Sequence, residues 1–168
     1  MTLHPTPLLL SALLADAQLP IPPGIGEVTV SGLQTDSRKV RPGDLFIAIR
    51  GFRTDARAHV PEAVSQGAVA VLCEEGEGIP IYRVPTVPVP NARVAMACLY
   101  DAWYGHPTRG LRLVGVTGTN GKTSVSTMLY RILRAAGVPC GLIGTVGCFP
   151  PAADTPVCGE DGQPYSGM

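Results

Sequence analysis

The sequence predicts an α/β fold in two parts: a small N-terminal α/β domain over residues 1–88, and the opening β-α-β unit of a second domain over 89–168. Three observations predict it. Between Leu45 and Cys73, two apolar strand-like runs flank a helical stretch. The proline-rich segment Thr86-Val87-Pro88-Val89-Pro90-Asn91 reads as a connector. Beyond it, an apolar run at Leu111–Val116 passes through a glycine-rich loop into a helix with one continuous apolar stripe.

The elements follow in order. Thr6-Pro7 reads as an N-cap and first helical residue opening a short surface helix over the apolar stretch Leu8–Leu14. Ala15-Asp16-Ala17 mimics a cleavage site, but no Lys or Arg precedes the apolar stretch, so the positive region of a signal peptide is missing. No apolar run is long enough to span a membrane. Glu27–Ser31 alternates as a weak strand, Arg41-Pro42-Gly43-Asp44 is a turn, and Leu45–Ile49 is a strand ended by Gly51. Val60–Gln66 reads as a helix with Gly67 just past its end, Ala68–Cys73 as a buried strand and Ile79–Val84 as another. A helix from about Ala92 to Tyr104 repeats Val94, Ala95, Cys98, Leu99, Ala102 and Trp103 at helical spacing, and Gly105-His106-Pro107 ends it. The helix after the loop, about Thr123 to Ala136, carries Val125, Met128, Leu129, Ile132, Leu133 and Ala136 on one face, with Met128 read as core. Gly137 stops it, and Val138–Ile143 is the following strand. From Cys148 onward periodicity disappears, as expected of a sequence that stops partway into its second domain.

Composition narrows the function classes. With 45% hydrophobic and 15% charged residues, a packed core is expected and global disorder is excluded. The formal net charge of zero argues against a nucleic-acid binder. Arg38, Lys39, Arg41, Arg50, Arg53 and Arg57 nevertheless crowd one segment against Asp36, Asp44 and Asp55, as a solvated face or a local anion site. Cys73, Cys98, Cys140, Cys148 and Cys158 show no metal-ligand spacing and read as reduced thiols of a cytoplasmic protein, mostly small core residues.

The loop carries the chemistry. In Val116-Thr117-Gly118-Thr119-Asn120-Gly121-Lys122-Thr123-Ser124, backbone N–H groups and the positive end of the following helix would face an anion. Lys122 would reach the terminal phosphates of a nucleotide, and the Thr123 hydroxyl would bind Mg²⁺. The usual first glycine of such a loop is replaced by Val116, flanked by Gly115 and Gly118.

Four separated motifs then converge. Thr35-Asp36-Ser37-Arg38-Lys39-Val40-Arg41-Pro42-Gly43-Asp44-Leu45-Phe46-Ile47-Ala48 resembles the N-terminal signature of the Mur ligases, and Val116–Thr123 resembles their ATP loop. Tyr104-Gly105-His106-Pro107 and Gly141-Leu142-Ile143-Gly144-Thr145-Val146-Gly147 resemble the MurE type; the MurF type usually lacks the latter run. The resemblance covers roughly residues 25–147. It implies a UDP-binding N-terminal domain, the first part of a P-loop central domain, and an ATP- and Mg²⁺-dependent ligase of peptidoglycan synthesis. Such a ligase activates the D-glutamate carboxylate of UDP-N-acetylmuramoyl-L-alanyl-D-glutamate as an acyl phosphate. A diamino acid, meso-diaminopimelate or L-lysine, then displaces phosphate. A monomer without nucleic-acid partner or membrane insertion is expected.

The resemblance also implies the roles of residues. Gly118, Thr119, Asn120, Gly121, Lys122, Thr123 and Ser124 would hold ATP, with Lys122 as the catalytic residue on the γ-phosphate and Thr123 on Mg²⁺. Thr35 and Ser37 would contact the UDP part of the precursor. Phe52, Arg53 and Thr54 would contact it again, although they depart from the family's frequent His-Gln-Ala. Asp36 and Arg38 read as a buried ion pair or turn cap that shapes the site. His59 reads as packing near a helix start and His106 as part of the turn before Pro107, neither with a carboxylate partner at catalytic spacing. The later Mur-ligase elements, the carboxylated lysine and the amino-acid-receiving domain, are not in the sequence, so this chain alone is expected not to form amide bonds. The competing readings are a MurF-type or other superfamily ligase, and a non-catalytic nucleotide-binding module.

Overall fold

The computed structural model describes residues 7–50, 56–76, 82–151 and 156–157. The chain divides into two compact units, Met1–Leu111 and Arg112–Met168.

The first unit is built on a parallel sheet. Strands β1 (Leu8–Leu9) and β2 (Thr29–Val30) pair antiparallel, with α1 (Leu10–Asp16) following β1. Strands β3 (Gly32–Gln34), β4 (Asp44–Ala48), β5 (Ala70–Glu74) and β6 (Thr86–Val89) form a four-stranded sheet in that order, all neighbours parallel. Helix α2 (Val60–Ser65) lies between β4 and β5 in sequence, and α3 (Ala92–Trp103) follows β6.

The pleat explains the burial of β4 and β5. Successive strand side chains point to opposite faces. Leu45 and Ile47, with Ala70 and Leu72, enter a core shared with Leu10, Leu13 and Leu14 of α1 and with Ala95, Leu99 and Trp103 of α3. Phe46 and Ala48, with Val71 and Cys73, enter a second core against Val60 and Ala63 of α2. Both faces are therefore covered, as in parallel sheets generally, and these strands read as continuous apolar runs. Each fully buried Leu, Ile, Phe or Val contributes about 1.5–3 kcal/mol.

Several expected elements come out differently. The N-terminal helix is not a surface helix: Leu10, Leu13 and Leu14 are buried, and it starts at Leu10 with Leu9 at the N-cap, so Pro7 is not its first residue. Thr6 lies outside the described residues. The proline-bearing segment expected as a connector is strand β6, an edge strand of this sheet, where proline's missing N–H is tolerated. Tyr82–Val84 takes no strand, and the rest of the strand expected at Ile79–Val84 lies outside the described residues. In α3, Ala95, Leu99, Ala102 and Trp103 are buried as the stripe requires, but Val94 is exposed.

The second unit holds α4 (Lys122–Ala135) and an antiparallel pair, β7 (Leu142–Gly144) with β8 (Gly147–Phe149). Gly137, in the left-handed region, sits just past the end of α4 as expected. Tyr130 of α4 meets Phe149 of β8 with ring centroids 6.0 Å apart, and the Arg134 guanidinium donates to the Pro151 carbonyl. No described residue pairs in a ladder with 111–117, so the expected strand there does not form: a strand exists only beside a partner. The apolar stripe of α4 is likewise uncovered. Met128, read as core, is 62% exposed, and Val125 and Ile132 are exposed with it. Among the described cysteines only Cys73 is buried; Cys98, Cys140 and Cys148 are half-buried, and all four are reduced. Cys158 lies outside the described residues.

Candidate functional sites

In open α/β sheets ligands bind outside the carboxyl ends of the strands. The chain leaves β3 at Gln34 and makes a turn of 3₁₀ helix, Ser37–Lys39, before β4. Gln34 organises this turn: its Oε1 accepts from the backbone N–H groups of Thr35 (2.9 Å) and Asp36 (3.1 Å). Asp36 caps it, accepting from the Arg38 N–H at 3.1 Å, and also accepts from Arg38 Nε (2.9 Å) and Nη2 (2.8 Å). A guanidinium fork on a carboxylate is a strong, oriented pair. That hydrogen-bonded guanidinium holds the Asp36 carboxyl at about 2 and raises Arg38 above its ordinary value. The expected turn cap is present, whereas the expected burial is not: the Arg38 side chain is 79% exposed. A two-residue spacing puts the pair on the outer side of a single surface turn, where water reaches it.

Thr35, Asp36, Ser37, Arg38, Phe46 and His59 line a cleft of about 400 Å³ at this carboxyl edge. Thr35 and Ser37 are thus brought together. Phe52, Arg53 and Thr54 lie outside the described residues. Ser37 is almost fully buried, and its Oγ donates to Glu62 Oε2 of α2 at 2.6 Å. The same oxygen lies 3.8 Å from His59 Nδ1. His59 does stand at the start of α2, as its N-cap, but it also lines the cleft and has a carboxylate within ion-pair distance. Sequence reasoning missed Phe46 and Glu62; only the helical proximity of Glu62 to His59, three residues apart, hinted at the latter.

His106 is the second correction. It occupies the turn after α3 in the left-handed region, φ 56°, and it has two carboxylate partners. Its Nδ1 is 2.6 Å from Asp101 and its Nε2 3.1 Å from Asp16. The Thr108 hydroxyl also donates to Asp101, at 3.0 Å. The hydrogen bond to Asp101 raises His106 above the usual histidine value, and the same bond lowers Asp101. The cluster ties the end of α1 to the end of α3.

In the second unit, Gly121 is the N-cap of α4 at φ 78°, a conformation that favours glycine, and Gly118 also has positive φ. Among the described residues no side chain caps α4, so the N–H groups opening the helix are left for another acceptor at its positive end. Lys122 Nζ donates to the carbonyls of Gly118 (2.5 Å) and Thr119 (3.2 Å), folded over the loop that it follows. Thr123 Oγ1 is 3.1 Å from Thr145 Oγ1 on the β7–β8 turn. Gly118, Thr119, Asn120, Gly121, Lys122, Thr123 and Ser124 therefore gather around one helix end. Thr145 joins them, although the sequence singled out its run only by resemblance. An uncapped helix N-terminus with a cation and a hydroxyl at its first residues fits a nucleotide phosphate and Mg²⁺.

Among the described residues, no group of three or more His, Cys, Asp and Glu could hold a metal ion, and no helix is long and apolar enough to cross a membrane.

Residues 29–104 match the family model "Mur ligase family, catalytic domain" and residues 116–158 match "Mur ligase middle domain". The chain is 50% identical over 117 residues to a UDP-N-acetylmuramyl-tripeptide synthetase of Roseiflexus sp. (strain RS-1), covering 70% of this chain and 23% of that protein. It is 41% identical over 134 residues to a UDP-N-acetylmuramoyl-L-alanyl-D-glutamate--2,6-diaminopimelate ligase of Parabacteroides distasonis, covering 80% and 28%. Among solved structures, one titled as a UDP-N-acetylmuramoyl-L-alanyl-D-glutamate--2,6-diaminopimelate ligase is similar with TM-score 0.66 at 25% identity, covering 89% of this chain and 30% of that one. A D-alanyl-D-alanyl ligase from Acinetobacter baumannii is similar with TM-score 0.54 at 27% identity, covering 80% and 30%. The chain spans about a quarter of the length of the curated relatives it matches.

Proposed function

The chain belongs to the Mur ligase family, and from that premise we propose that it carries the precursor-binding and ATP-phosphate-binding parts of a MurE-type ligase. The reaction would add a diamino acid, meso-diaminopimelate or L-lysine, to UDP-N-acetylmuramoyl-L-alanyl-D-glutamate in peptidoglycan synthesis. The observation that carries this reading is a 41–50% identity to proteins named for that step, in a chain that holds both the cleft and the phosphate loop. The structural likeness to the UDP-N-acetylmuramoylalanyl-D-glutamyl-2,6-diaminopimelate--D-alanyl-D-alanyl ligase is the weaker of the two, with TM-score 0.54 against 0.66, and reflects the shared fold.

In this reading the first unit, to Leu111, binds the UDP precursor and the second begins the ATP-binding domain. Thr35 and Ser37 meet the nucleotide of the precursor, with Phe52, Arg53 and Thr54 as further contacts. ATP with Mg²⁺, when bound, supplies the phosphoryl group that activates the precursor carboxylate. The chain's own part is positioning and charge neutralisation, which is most of what phosphoryl transfer asks of a protein. Backbone N–H groups of Gly118, Thr119, Asn120, Gly121 and Ser124 hold the phosphates. Lys122 turns from the loop carbonyls to the terminal phosphate as the catalytic cation, and Thr123 offers its hydroxyl to the metal. We take the protein to act as a monomer and in the cytoplasm, the latter in keeping with the reduced thiols among its described cysteines.

Calorimetric titration with UDP-N-acetylmuramoyl-L-alanyl-D-glutamate tests the reading. Binding that weakens about tenfold in Ser37→Ala, the loss of one buried hydrogen bond, is expected. Absence of binding to the unchanged chain would contradict it.

A further inference from the structure

We propose that Glu62 is a positioning residue that commits the Ser37 hydroxyl to act as an acceptor, so that the cleft at Ser37 selects a neutral N–H or O–H donor of its ligand. The inference rests on the reading that a nucleotide-linked precursor occupies this cleft.

A carboxylate only accepts hydrogen bonds, so at 2.6 Å the Ser37 proton must lie between Oγ and Glu62 Oε2. A hydroxyl has a single proton. With that proton engaged, Ser37 has only lone pairs left for anything entering the cleft. The wall points the same way. Its Asp36 and Arg38 are engaged with each other in a two-pronged pair, so the carboxylate offsets much of the guanidinium charge that an anion would meet. Glu62, just behind Ser37, adds a negative charge where a phosphate oxygen would have to sit. An oxyanion would thus find no donor in the Ser37 hydroxyl itself and a nearby like charge. A nucleoside end would find a matched acceptor, for it carries an imide N–H and ribose hydroxyls. Ser37 is almost fully buried, so a ligand group that fails to supply a donor strands its lone pairs away from water.

Glu62 itself does not line the cleft and is about half exposed. It acts on a ligand only through Ser37, and its substitution should be tolerated by the fold. Residue and ligand changes can therefore be crossed. The full chain is titrated with UDP, 2′-deoxy-UDP and 3-methyl-UDP. The last two remove a ribose hydroxyl donor and the imide donor respectively. The variants are Ser37→Ala, Glu62→Ala, Glu62→Met, Glu62→Gln and the double variant Ser37→Ala/Glu62→Ala, each checked for its fold by circular dichroism. Met keeps helix propensity and length without an acceptor, so two independent replacements guard against misfolding of either.

For the unchanged chain, one of the two analogues should bind about tenfold more weakly than UDP. Either Glu62 replacement should lower that ratio, because the freed hydroxyl can donate as well as accept, and Glu62→Ala should change nothing further once Ser37 is Ala. Glu62→Gln, which keeps an acceptor oxygen, should restore the preference. A purely structural role for Glu62 would weaken all three ligands equally and leave the ratio at its original value, and that result overturns the inference while UDP binding stands. Equal binding of all three ligands to the unchanged chain overturns it as well. Failure of the unchanged chain to bind UDP overturns the reading beneath it, and the inference falls with that reading.

Discussion

His106 shows how a single side chain can be misjudged from its neighbours in sequence. Asp16 is ninety positions away, and Asp101 is reached only because the turn after α3 folds back at φ 56°. The turn places the imidazole between two carboxylates. A raised histidine contributes stability that is complete below its unfolded value of 6.5 and is lost as pH rises through its higher folded value. A lowered Asp101 contributes stability that is complete above 3.8 and is lost as pH falls through its lower folded value. The cluster therefore contributes fully between about pH 4 and 6.5. Urea midpoints of the chain should fall as pH rises above that window, and in His106→Ala that part of the fall should be absent. An unchanged pH profile in the variant would remove the cluster from the stability of the fold. Asp36 and Arg38, by contrast, were legible as a local unit, because a cap and its partner two residues on need only the turn that contains them.

Elements follow their neighbours as much as their residues. β4 and β5 were legible because continuous apolar runs demand two covered faces, and α1, α3 and α2 cover them. β6 was not, because its Pro88 suits an edge strand as well as a connector, and only the sheet order distinguishes the two. The segment 111–117 erred in the opposite direction, with strand-type residues but no partner among the described residues. The turn before β4 shows how tightly elements lock. The Gly43 N–H donates to the Gly67 carbonyl at 3.0 Å, and Gly67 itself has φ +107° beside Pro42. A Cβ on Gly67 would stand 2.8 Å from Pro42 Cα, closer than real contacts allow, in a conformation that side chains rarely adopt. Gly67→Ala should cost about 1–3 kcal/mol of unfolding free energy, read from denaturant midpoints. A neutral result would mean that the turn relaxes without penalty.

For the molecule as a whole, burial divides unevenly. The first unit holds both apolar cores, whereas α4 has no buried residue and Leu113, Val114, Met128 and Ile143 are more than half exposed. Protection against hydrogen exchange follows buried contact. Amides of β4 and β5 should exchange slowest, and those of α4 far faster; equal protection would show that α4 is covered in solution. The glycine-rich loop and the helix start after it need only short-range geometry, and so were legible in the sequence although the strand expected before them does not form. The cleft needed β3, the turn and α2 together, and so Ser37 was legible whereas Glu62 was not. The most direct test of two nucleotide sites in one chain is amide-resolved NMR titration, first with UDP-N-acetylmuramoyl-L-alanyl-D-glutamate and then with Mg-ATP. The account predicts that the first ligand shifts residues 35–38 and 59–62, and that the second shifts 118–124 and Thr145. Shifts from both ligands at one and the same set of residues, or from neither, would contradict it.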